Sequence, residues 1–177
     1  MLEVRESVEV LAGGGPQDVV ELTIALAREM LTAAGRGDVD PADKLADGSA
    51  MDVWRTMIAA QGGDPDAPLP TATETHVVRA PTGGVVTRVD AMAVGLAAWR
   101  LGAGRATQGE PVQAGAGVEL HARPGETVAE GAPLLTLHTD EPERFARALA
   151  ALDGGIDVDP AGAYAASGVV IERIAAD

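Results

Sequence analysis

Three prolines within seven residues, Asp64-Pro65-Asp66-Ala67-Pro68-Leu69-Pro70, limit what this chain can fold into more than any other feature. Each proline removes an amide donor and holds φ near about −65°, so neither a helix nor a fully paired strand runs through the segment. The apolar pattern also changes across it, from helical spacing before to short strand-like runs after. The reading is therefore α+β: a helical part over 1–63, a Pro-rich linker over 64–72 and a strand-rich part over 73–177.

In the helical part, Val4, Val8 and Leu11 form one stripe on a segment that must stop at Gly13-Gly14-Gly15. Pro16 can open a second helix at its first position, Asp18 and Glu21 suit its positive end, and Val19 to Leu31 continues it toward a stop at Gly35. That helix is apolar almost all round, through Val19, Val20, Leu22, Ile24, Leu26, Met30 and Leu31. It expects protein on several sides, and the sequence predicts self-association through residues 1–63 if none is present. Asp40-Pro41 opens a third helix, and Ser49 with Asp52 resembles a capping box for a fourth, in which Val53/Met57 and Trp54/Ile58 are i,i+4 pairs.

Beyond the linker, strands are predicted at Thr73–Ala80, Val85–Val89, Val118–Ala122, Leu134–His138 and, as a closing strand, Val169–Ile174. Helices are predicted at Ala91–Leu101 and Glu141–Leu152. Asp38, Asp40 and Asp43, and likewise Asp140, Glu141 and Glu143, sit at helix starts where they complement the dipole, and their spacing fits no calcium loop.

Composition removes several function classes. With 13 Lys+Arg against 27 Asp+Glu the formal charge is −14, the wrong sign for binding a phosphate backbone, so nucleic acid and anionic membranes are poor partners. The absence of cysteine removes disulfides, thiolate nucleophiles and Cys-type zinc sites. The longest uncharged apolar stretch, Ala91 to Trp99, is far short of the roughly 18 residues of a membrane span, and the N-terminus is no signal peptide, so a cytoplasmic location is expected.

His76, His121 and His138 lie in strand-like segments without an i,i+4 partner and read as satisfying local hydrogen bonds. Ser7, Ser49 and Ser167 lack a nucleophile-elbow context. Gly102-Ala103-Gly104 and Gly115-Ala116-Gly117 do not complete G-x-G-x-x-G, because Thr107 and Leu120 stand at the third glycine position. Both read as turns, the first ending a helix at a left-handed residue, and Arg105 reads as an exposed turn arginine.

Two turn segments, Ala80-Pro81-Thr82-Gly83-Gly84-Val85-Val86 and Pro124-Gly125-Glu126-Thr127-Val128-Ala129-Glu130-Gly131-Ala132-Pro133-Leu134-Leu135, are similar to the half-barrel pieces of biotinyl and lipoyl carrier domains, here separated by an excursion from Asp90 to His121. Carrier chemistry needs a lysine at a hairpin tip. The single lysine, Lys44, lies in the helical part, so the half-barrel is read as structural.

The order of features resembles the C-terminal portion of the thymidine and pyrimidine nucleoside phosphorylases. The resemblance rests on Leu2-Glu3-Val4-Arg5-Glu6-Ser7, Met57-Ile58-Ala59-Ala60-Gln61-Gly62-Gly63, Val85-Val86-Thr87-Arg88-Val89-Asp90, Ala93-Val94-Gly95-Leu96-Ala97, Leu101-Gly102-Ala103-Gly104-Arg105 and the 124–135 turn, in collinear order up to about Gly155. It implies a remnant of the phosphorylase α/β domain followed by an α/β-hammerhead, a barrel-sandwich hybrid with an inserted excursion. The implied activity is reversible phosphorolysis of pyrimidine nucleosides, with phosphate as co-substrate, no further cofactor and usually a dimeric enzyme.

The family's phosphate- and base-holding segments have no counterpart in these 177 residues, so the resemblance implies a chain inactive alone, with no catalytic residue of its own. One family position does fall inside it. Glu6 matches a glutamate that helps hold a monovalent cation, an incomplete site here; its other reading is a solvated helix carboxylate. The competing reading of the whole is an acidic protein-interaction module, or a subunit completing a phosphorylase in trans.

Overall fold

The computed structural model describes residues 1–174, which form two compact units. One comprises Pro70–Ala166 with Met1–Leu2, and the other Glu3–Leu69 with the described residues from Ser167 onward.

The larger unit holds two three-stranded antiparallel sheets. In the first, β5 (Pro133–Thr139) lies between β1 (Glu74–Arg79) and β3 (Gly117–Leu120). In the second, β2 (Gly84–Val89) lies between β4 (Thr127–Val128) and β6 (Ile156–Asp159). Because side chains alternate along a strand, β5 sends Leu135, Leu137 and Thr139 to one face, all fully buried, and Thr136 and His138 to the other.

The Leu135/Leu137 face packs with Ala97, Leu101, Ala148 and Leu152 from α5 (Ala91–Ala98), the turn after it and α6 (Arg144–Leu152). Leu134 joins a second cluster with Ala80, Val86 and Ala122, and Ile156 packs against both. Shutting a leucine such as Leu135 off from water contributes about 1.5–3 kcal/mol before entropy is counted.

Helix α5 starts where Asp90 Oδ1 accepts from the amides of Met92 and Ala93, at 2.9 and 3.0 Å. It ends in a wide π-type turn, Trp99–Ala103, in which Gly102 takes φ 112°. A Cβ there would come within 2.9 Å of the Gln113 side chain, so the position requires glycine on both counts.

The smaller unit contains α1 (Leu2–Leu11, of which Leu2 belongs to the larger unit), α2 (Gln17–Ala33), α3 (Pro41–Ala46) and α4 (Ser49–Ala60). Asp40 caps α3 by accepting from Ala42 N at 3.0 Å and pairs with Arg28 at 3.1 Å. Val10 is the buried residue of α1, whereas α2, α3 and α4 bury none. No described helix is long and apolar enough to cross a membrane.

The mixed α+β reading and the positions of most elements match the structure, with five corrections. Pro16 precedes α2 as its cap residue instead of opening it. Ser49 does not cap α4: Gly48 occupies that position at φ 79°, and Asp47 Oδ1 accepts from both the amide and hydroxyl of Ser49, at 2.8 and 2.5 Å. A carboxylate two residues upstream is the stronger acceptor and takes the role. Residues 169–174 form no strand; the last described strand is β6, which pairs with β2 and lies well before the expected run. The 124–135 turn segment contains a two-residue strand, β4, too short to show alternation in the sequence. Helix α6 begins at Arg144 instead of Glu141, because Pro142 follows and displaces its start.

Candidate functional site

Glu6, the one residue nominated for a cation, is half-buried on α1. No group of three or more His, Asp or Glu among the described residues is placed to hold a metal ion. The three histidines do not converge. His76 stacks obliquely on Phe145 with ring centroids 5.6 Å apart, and His121 Nε2 lies 2.7 Å from Thr136 Oγ1. His121 follows the end of β3 instead of lying in a strand. His138 does have an acidic neighbour that its sequence position concealed, because Glu119 Oε2 is 3.4 Å from its Nε2 across the β3–β5 ladder.

Ser7 donates back to Glu3 O at 2.8 Å, as a helix hydroxyl commonly does. Lys44 lies on α3 and pairs with Asp47 at 3.3 Å. The Gly102 and Gly115 segments are turns, and Arg105 is an exposed arginine whose Nε donates to Glu110 O at 2.9 Å.

Polar side chains do converge around Gln113. Its backbone N–H donates to Gly102 O at 2.9 Å. Its Oε1 accepts from Asp140 N at 2.7 Å and lies 3.0 Å from the buried Thr139 hydroxyl. Its Nε2 donates to Glu141 Oε1 at 2.5 Å. Thr139 Oγ1 is also 2.8 Å from Leu101 O and accepts from Glu141 N at 3.2 Å. The Gln113 backbone thus holds the end of the π turn while its side chain holds the β5–α6 corner, a partly buried network centred on the buried Thr139.

Beside this network is a cleft of about 130 Å³ lined by Trp99, Arg100, Gly104, Ala106, Glu110, Arg144 and Arg147. Arg100 Nη1 donates to Arg147 O at 3.0 Å while Arg147 Nε donates to Arg100 O at 2.9 Å, so each guanidinium is held by the other residue's carbonyl. Arg144 pairs with Glu141 at 2.8 Å. Hydrogen bonding to Arg144 holds the Glu141 carboxyl below its ordinary range, and the same contact raises the Arg144 guanidinium.

Glu110 Oε2 accepts from the amides of Ala106 and Thr107 at 2.9 and 3.2 Å, which lowers its pKa with further help from Arg144 and Arg147. The Trp99 indole N–H donates to Arg105 O at 3.1 Å, fixing the loop over the ring. None of Arg100, Glu110, Gln113, Arg144 or Arg147 stood out in the sequence. Arg144 and Arg147 are spaced i,i+3, the sole local signal, and Arg100 reaches them only through packing of the π turn on α6.

Comparison with known proteins bears on the same region. A family model described as "Pyrimidine nucleoside phosphorylase C-terminal domain" matches residues 85–159, from β2 through β6. Thymidine phosphorylase of Mycobacterium tuberculosis is 59% identical over 154 residues, covering 87% of this chain and 36% of the relative. Pyrimidine-nucleoside phosphorylase of Staphylococcus haemolyticus is 34% identical over 184 residues, 98% of this chain and 42% of the relative. AMP phosphorylase of Pyrococcus furiosus is 34% identical over 157 residues, 84% of this chain and 30% of the relative. The chain spans between 30% and 42% of the length of these relatives.

Proposed function

The chain belongs to the C-terminal portion of the thymidine and pyrimidine nucleoside phosphorylase family, and from that premise we propose that it is the scaffold end of an enzyme that reversibly phosphorolyses pyrimidine nucleosides. In that reaction phosphate oxygen bonds to the anomeric carbon, the bond from that carbon to the base nitrogen breaks, and free base and pentose 1-phosphate result. The chain does not perform this step by itself.

One observation carries the reading: the sole lysine, Lys44, is engaged with Asp47 on a surface helix. A phosphate cradle of lysine, hydroxyls and backbone amides beside a base-binding set therefore has to come from elsewhere in such an enzyme. The helical part over 1–63 is then a portion of the phosphorylase central domain, the linker occupies 64–72, and residues 73–177 are the hammerhead with its barrel-sandwich half-barrel. Glu6 contributes one carboxylate to a monovalent-cation site whose other ligands lie outside this chain. The protein acts in the cytoplasm and associates with further copies through its exposed helices.

The test is an assay of thymine release from thymidine and phosphate by the purified chain, followed by absorbance or chromatography. No phosphate-dependent release is expected. Mixing with a purified polypeptide equivalent to the remainder of the relatives should restore it if the portions assemble in trans. Turnover by the chain alone overturns the reading.

A further inference from the structure

The cleft between the π turn, the 104–110 loop and α6 plays no part in the reading above. Its lining carries three guanidinium groups, from Arg100, Arg144 and Arg147, against one carboxylate, Glu110. The lining groups alone sum to +2, and Glu141, paired with Arg144 at 2.8 Å, reduces the neighbourhood to +1, in a chain whose formal charge is −14. The sign is opposite to that of the chain as a whole and suits an anion, with Arg100 and Arg147 the two cations of the lining not paired to a carboxylate among the described residues.

The geometry favours a bound oxyanion over a mobile counterion. Arg100 and Arg147 are each anchored by one hydrogen bond to the other's carbonyl, through Arg100 Nη1 and Arg147 Nε. Their remaining N–H groups have no acceptor among the described residues and stay available as fork-like donors. The Glu110 carboxylate, the competing internal anion, has one oxygen committed to two backbone amides. The nearby Glu141 is engaged by Arg144 and Gln113. A volume of about 130 Å³ admits a tetrahedral oxyanion, and the half-exposed indole of Trp99 at the rim offers an apolar face to whatever the anion is attached to.

We propose that this cleft is a non-catalytic binding site for a phosphate or phosphate-monoester dianion, held by the Arg100 and Arg147 guanidiniums with Arg144 behind them. Multiple charge-assisted N–H···O bonds from pre-anchored arginines supply both affinity and discrimination against monovalent halides. The site belongs to the strand-rich unit alone, so it operates whether or not the phosphorylase reading holds.

Trp99 serves as the reporter once Trp54, the other tryptophan, is replaced by phenylalanine. Inorganic phosphate, and separately ribose 5-phosphate, are titrated into the Trp54→Phe chain at constant ionic strength, with chloride as the compensating salt. A saturable fluorescence change with a midpoint below about 10 mM is expected. Tighter binding of ribose 5-phosphate identifies the monoester as the preferred form, and equal binding identifies the anion alone as what is recognised. Arg147→Gln should weaken the response by tenfold or more. Glu110→Gln, which retains an oxygen acceptor for the loop amides but removes the internal negative charge, should tighten it several-fold and does not depend on the arginine variant folding. No saturation up to about 50 mM, the same response to chloride, or midpoints unchanged in both variants overturns the proposal.

Discussion

In the strand-rich unit Leu101, Leu135, Leu137, Val86 and Thr139 are shut off from solvent, whereas α2, with seventeen residues, buries none of its own. Both regions are rich in aliphatic side chains, so composition does not separate them. The difference is one of closure. Two small sheets with α5 and α6 over one of them cover their apolar faces within about a hundred residues of chain. The four helices, of which α2 is apolar nearly all round, do not, and Leu26 and Met30 remain 56% and 71% exposed.

The comparison breaks most directly at the centre of the core. Leu135→Ala removes a side chain packed on all sides and is expected to cost about 2–5 kcal/mol. Leu26→Ala, on the open face of α2, should stay within about 0.5 kcal/mol. Urea denaturation of the two variants, monitored separately by Trp99 and Trp54 fluorescence, checks the contrast. Similar losses would mean that the helical unit is better covered than its exposures indicate.

Thr139→Val tests whether the polar part of the closure matters as much as the apolar part. It preserves shape but leaves Leu101 O and Glu141 N without the hydroxyl, and about 1–3 kcal/mol should be lost. A shift in the urea midpoint with unchanged slope is the expected form. A neutral substitution would show that the Gln113 network re-satisfies itself without Thr139.

The helical unit is expected to cover its apolar face by association, and Met30→Glu together with Leu26→Glu should reduce it. Light scattering at tens of micromolar reads this as a fall in mass toward the monomer with no change in the thermal stability reported by Trp99. A monomeric parent chain would sink the expectation.

The smallest effect concerns pH. The Glu110 carboxyl has its pKa lowered in the folded chain by the Ala106 and Thr107 amides, so its contribution to loop order is complete above the ordinary glutamate value of about 4.3. That contribution falls away as pH drops through the lower folded value. Acid titration of Trp99 fluorescence should show loosening of the 104–110 loop at pH values below the ordinary glutamate range, absent in Glu110→Gln. In the helical unit Asp40 is lowered by the Ala42 amide and Arg28, and Asp47 by the Ser49 hydroxyl and amide, so acid should also weaken the starts of α3 and α4.

Much of this was legible from residue order. The triple-proline segment, the stripe of α1, the Asp40 cap, the Gly102 stop and the runs that became β1, β2, β3 and β5 are local features, each dictated by a few neighbouring residues. The missed helix starts at Pro16, Ser49 and Glu141 were local errors of a residue or a few, whereas the missed strands required a partner. Thr127–Val128 and Ile156–Asp159 are strands because β2 lies between them, and 169–174, with better strand composition, is not one because it has no such partner there.

The amino-acid order alone determined most of the element types, the family likeness and the absence of a lysine at either half-barrel turn, since helical period, turn residues and the position of a lone lysine are properties of short stretches. Only the tertiary structure brought Arg100, a π-turn residue, against Arg144 and Arg147 of α6, and set Gln113 between Gly102, Thr139 and Glu141. Those side chains come from segments up to 47 residues apart, and their convergence depends on the sheet and helix packing that closes the core. No local pattern encodes such a meeting.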